Sequence, residues 1–152
     1  MTITQENASA LALISPELSA RLIEGVRENK WPELTDEQGE RGVAQMVGFL
    51  VAGARSKARL APSKRVDWFW HEFIKHTRSY SAFGDLVAGE YIHHEPHETP
   101  APIHEKEEAR ERTVRAVADA GFTVDAEFWP DVATDCSQCY DGCSNSPNSG
   151  KK

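Results

Sequence analysis

The sequence predicts an all-α protein, a small helical bundle of about five helices with an irregular C-terminal arm. Three observations carry this. Apolar residues recur at spacings of three and four along much of the chain, and no sustained period of two appears. Helix-start signals, Ser15-Pro16, Thr35 with Gln38, and Pro62-Ser63, stand before those stretches. The chain has 152 residues, 39% of them hydrophobic, including four Trp and six Phe, enough for one core without disulfide or metal staples. The expected organisation is a single helical domain over residues 1–130 and a polar, Cys-containing tail over 131–152.

The first helix starts at Ser15, an N-cap followed by Pro16 at the first helical position, and runs to about Asn29 with Leu18, Leu22, Ile23 and Val26 on one stripe. Trp31-Pro32 breaks it, because Pro lacks an N–H and disfavours helix in the residue before it. Thr35 and Gln38 form a capping box, and Val43, Met46, Val47, Leu50 and Ala54 carry a second helix to about Arg59. Its four glycines, Gly39, Gly42, Gly48 and Gly53, each weaken it by about 1 kcal/mol relative to Ala, so close helix packing has to hold it. The third helix opens at Ser63 and carries Val66, Phe69, Trp70, Phe73, Ile74, Thr77 and Tyr80, the strongest core signal of the chain. A short helix from Ser81 to about Ala88 ends at Gly89, and Glu90 to Pro102 reads as an extended connection. The fifth helix, about His104 to Ala120, has Glu105, Glu107 and Glu108 near its positive end and Gly121 as its stop. Strands are expected at most as short pieces near Tyr91-Ile92 or Phe122-Thr123-Val124.

With 17 basic and 24 acidic residues the net charge is −7, which disfavours nucleic acid and anionic membrane as partners, since both reward a basic face. The longest apolar run, Met46 to Ala54, falls far short of the roughly 18 residues of a membrane span. Met1 to Leu13 contains Glu6 and no basic residue, unlike a secretory leader, so a cytoplasmic location is expected. No GxGxxG, P-loop or GxSxG is present, which leaves nucleotide and hydrolase templates without support.

Four of the six histidines, His93, His94, His97 and His104, fall within twelve residues. Neutral imidazole binds divalent transition metals, so converging rings would make a metal site, while a solvated polar loop is the plainer reading, stronger for His97 and His104. Tyr91-Ile92 should anchor His93 and His94 against the core. His71 lies on the flank of the third helix, one turn after Asp67, whose carboxylate can orient the ring and leave its other nitrogen free as ligand or base. His71-Glu72 and His76 do not form a zincin pair, because histidines five apart sit about 140° around a helix. Cys136, Cys139 and Cys143 lie within eight residues, an odd number better suited to reduced thiols than to a disulfide framework. Three such thiolates can also surround one soft metal, with His93 or His94 as donor of a fourth ligand.

The stretch Val66-Asp67-Trp68-Phe69-Trp70-His71-Glu72-Phe73-Ile74, then Thr77 and Tyr80, Phe83-Gly84, Gly89 and Ile92-His93-His94-Glu95-Pro96, resembles the helical domain of the glycine-rich domain-containing proteins. That family has a Val-Asp-x-x-Trp-His helix and an Ile-His-His-x-Pro element, and the resemblance covers 31 residues. It implies a helical fold and brings no settled activity. Where the family often has Phe-Cys, this chain has Phe83-Gly84, so a Cys that could complete a His–Cys–His site is absent there.

The preferred function is a small metal-binding helical protein, with zinc as first choice, holding the ion by His71, His93 or His94 and by some of Cys136, Cys139 and Cys143, with Asp67 behind His71. A closed shell of four protein ligands would be structural, whereas an open water position would permit catalysis, with Asp67 or Glu72 as orienter or general base. The alternative is a carrier or recognition module without metal that presents its Cys-containing tail to a protein partner or modifying enzyme.

Overall fold

The computed structural model describes residues 5–95 and 101–132. Its elements are α1 (Gln5–Ala12), α2 (Pro16–Asn29), α3 (Asp36–Arg55), α4 (Lys64–Ile74), α5 (Thr77–Ala88), α6 (Ile103–Asp119) and a single 3-10 turn at Ala126–Phe128, with no strand among the described residues. The all-helical class is therefore as expected. No helix among the described residues is long and apolar enough to cross a membrane.

The caps form where the sequence places them. Ser15 accepts from the Leu18 N–H at 3.0 Å, the Thr35–Gln38 capping box is complete, and Ser63 accepts from the Val66 N–H at 3.1 Å. α3 is the central element, packed against each of the other five helices. Its glycines are contact points: a Cβ at Gly39 would run into Ile23, at Gly42 into Phe69 and at Gly48 into Phe122, while Gly53 faces open space. Leu22, Val26, Met46, Val47, Val66, Phe69 and Phe73 form the middle of the core.

Several boundaries and assignments differ from expectation. α1 was not foreseen, because its buried face is made of small and polar residues: Asn7 and Ala10. Asn7 donates to the Ala120 carbonyl at 2.7 Å and accepts from Arg55 at 3.1 Å, a polar tie that hydropathy does not register. α3 stops at Arg55 rather than Arg59, because the Ser56 hydroxyl closes a local turn with both N–H and C=O of Ala58, and Ala54 is exposed instead of joining the stripe. The third predicted helix is two: α4 ends at Ile74, and the Lys75 and His76 N–H groups bond to Glu72 and Phe73 in a tight turn before α5 starts at Thr77. Thr77 is exposed, whereas Tyr80 is fully buried, so the aromatic stripe continues across the corner without following one helix axis.

The C-terminal arm is irregular but built into the core. Gly121, at φ 97°, turns the chain after α6, and Phe122, Phe128 and Trp129 are buried. Trp129 is 1% exposed and donates its indole N–H to Gln45 at 2.9 Å, while the Ser63 hydroxyl donates to the Phe128 carbonyl and so ties the start of α4 to the arm.

Candidate metal centre

Asp67 and His71 stand one turn apart on α4, on the flank of the face that sends Phe69, Trp70 and Phe73 into the core. The third member arrives from far along the chain. Gly89, left-handed at φ 74°, ends α5 and reverses the chain. The segment that follows has no regular secondary structure and approaches α5 so closely that a Cβ on Gly84 would lie 2.7 Å from the Glu90 carbonyl oxygen. A relay then fixes it: the Trp70 indole N–H donates to the Tyr80 hydroxyl at 2.9 Å, and that hydroxyl donates to the Ile92 carbonyl. Burial raises the Tyr80 phenol to about 12, so it remains a donor at any ordinary pH.

Two residues beyond this anchor, the His94 ring lies over Trp70 at 4.1 Å and against His71 at 4.3 Å between ring centroids. Its Nε2 is 2.8 Å from Asp67 Oδ1. The His71 Nδ1 donates to the Asp67 backbone carbonyl at 2.9 Å and lies 3.4 Å from Asp67 Oδ2. A buried carboxylate thus sits between two imidazoles, one from its own helix and one from a segment 27 positions away. One donor atom from each of Asp67, His71 and His94 lies within 4.8 Å of the others, an arrangement that could hold a metal ion.

Burial of Asp67, only 2% exposed, pushes its carboxyl up, but the hydrogen bonds and charges of His71 and His94 outweigh this and hold it below its ordinary value. Burial lowers His71, and the Asp67 carboxylate more than offsets that, so its net shift is upward. The group is built around one negative charge that favours positive charge beside it, whether as protons or as a cation.

Of the residues singled out in the sequence, His71 and His94 are brought together and Asp67 lies between them, among the possible ligands rather than behind them. His93 is not part of the group. Its ring packs on Tyr91 instead, 5.0 Å between centroids. Glu72 also lies elsewhere: it accepts from Asn29 and Lys75, each at 3.0 Å, on the α2 side of α4. His104 is exposed at the start of α6, and His76 precedes α5 without a side-chain cap bond. Cys136, Cys139, Cys143 and His97 lie outside the described residues. Sequence reasoning missed Tyr80 and Gly84 as the parts that deliver His94; nothing local to either signals that it meets residues 90–92.

The UCP032817-like family model matches residues 10–121, and the chain belongs to that family. The matched span takes in all three members of the group and ends before Cys136. No curated protein and no solved structure matches the chain.

Proposed function

We propose that this is a metal-binding helical protein whose ion, zinc by first choice, is held by Asp67, His71 and His94 with at least one coordination position left open. The observation that carries this is the convergence of one carboxylate and two imidazoles within 4.8 Å at a largely buried point. Imidazole and carboxylate together suit zinc and neighbouring divalent transition ions, and three protein ligands leave room for water or a bound molecule. Ligation requires neutral rings, so an ion displaces the extra proton that the Asp67 carboxylate favours on His71, and binding releases it. The resemblance of the Val66 to Pro96 segment to the glycine-rich domain-containing proteins belongs to the same reading, since its Asp, His and His-His positions supply the three groups.

The test is metal analysis of untagged protein, followed by zinc titration calorimetry near neutral pH. One zinc per chain is expected, with His71→Ala or His94→Ala weakening it by about 10-fold or more. His93→Ala should bind as the parent does. Changing Cys136, Cys139 and Cys143 to Ser should also leave the metal bound; its release would replace the open site with a closed one completed by thiolates. Protein that takes up no divalent metal, with all three thiols reactive, would hand the function to the alternative of a carrier presenting its tail.

A further inference from the structure

Asp67 and His94 also line the floor of a cavity of about 530 Å³, within the range of small-molecule sites. It lies between the end of α3 with the loop that follows and the 88–95 segment. Its buried lining is apolar, from Phe49, Leu50 and Trp70, apart from the Asp67 carboxylate. The exposed charges around it are Arg59 on one wall and Glu90 and Glu95 on the other, a net charge of −1 in solvent, so any pull on an anion has to come from the floor.

Resting on the metal reading above, we infer that this cavity takes a small organic acid with an apolar body, its carboxylate bound to the open position of the metal. A divalent ion on a single carboxylate leaves one net positive charge on a floor that is otherwise hydrophobic. The complement of such a floor is one anionic oxygen head on an apolar frame. Hard oxygen donors fill open positions on these ions, and the aromatic wall of Phe49 and Trp70 accepts the frame.

Gly53 supplies the control. It lines the cavity at the exposed end of α3, and a Cβ there meets nothing within 4 Å, so Gly53→Trp can obstruct the space without touching the triad or the core. The full chain is first titrated with zinc; the zinc-loaded and metal-free forms are then titrated with 3-phenylpropanoate and, separately, with its amide. The acid should bind the zinc form about 10-fold or more tighter than either the metal-free form or the amide binds. Gly53→Trp should take up zinc like the parent and lose the acid. Equal binding of acid and amide, equal binding with and without zinc, or full binding by Gly53→Trp overturns the inference. Zinc uptake without any binding of the acid overturns it while leaving the metal reading intact, whereas failure at the first titration removes both.

Discussion

The delivery of His94 depends on the absence of a side chain at Gly84, and Gly84→Ala measures that dependence. The added Cβ would stand 2.7 Å from the Glu90 oxygen and 3.4 Å from the Ile92 nitrogen and the Tyr91 Cα, all backbone atoms that cannot swing aside. Reaching the 3.4 Å of an ordinary contact requires the 90–92 segment to retreat by about 0.7 Å. Such overpacking costs about 1–3 kcal/mol, and loosening the hydrogen bond from Tyr80 to the Ile92 carbonyl adds up to about 1 kcal/mol. With a urea slope of about 1–3 kcal/mol per molar, the unfolding midpoint read by far-ultraviolet circular dichroism should fall by about 1 M. Zinc affinity should fall by about 10–100-fold as His94 is carried away from Asp67. Gly53→Ala is the matched control: its Cβ meets open space in a helix, so it should be neutral or stabilising by up to about 1 kcal/mol. A Gly84→Ala protein with the parent's midpoint and zinc affinity would refute the idea that close approach at Gly84 positions the site.

Tyr80→Phe removes the hydroxyl that serves both the Trp70 N–H and the Ile92 carbonyl, and should cost about 1–3 kcal/mol in a denaturant titration, with faster hydrogen exchange at the Trp70 indole; an unchanged midpoint would mean that the relay does not hold the segment. The pH dependence follows from two opposite shifts. His71 is raised above 6.5, so its contribution is complete below that pH and declines as pH rises through its folded-state value. Asp67 is lowered below 3.8, so its contribution is complete above that pH and declines as pH falls through its folded-state value. The stability difference between metal-free parent and Asp67→Asn should therefore be largest between 3.8 and 6.5, and a difference that is flat with pH would contradict the charge coupling.

The helices were legible because their signals are local. Ser15-Pro16, the Thr35–Gln38 box and Ser63 act within four residues of themselves, and the stripes of α2 and α4 are set by a fixed rotation per residue. The corner at Lys75-His76 was not legible: no Gly or Pro marks it, and the aromatic stripe runs on to Tyr80 because that side chain folds back onto Trp70. α1 was hidden for a related reason, since its buried contact is an Asn7 hydrogen bond to Ala120, far along the chain. For the site, the Asp67–His71 pair was readable as helix neighbours. The choice of His94 over His93 was not, because it depends on which side of the 91–95 segment meets α4. Tyr80 and Gly84 set that side from α5.

Asp67 also explains why the site and the fold of the 91–95 segment cannot be separated. A buried carboxylate without compensation is costly, and here the compensation comes from two rings, one of them on the segment itself. Toward lower pH the His71 ring supplies it as a protonated donor. As pH rises through the raised His71 value that proton is lost, and on the metal reading a divalent ion ligated by Asp67, His71 and His94 takes its place without moving the chain far, because the donors already lie within 4.8 Å. On that reading a proton and a metal ion compete for one position beside the Asp67 carboxylate, next to the His94 ring that lies over Trp70. On the metal reading, chelation at a pH above the raised His71 value removes both forms of compensation at once, so its first consequence should fall on the 91–95 segment and on the cavity wall that it forms, ahead of the helical core.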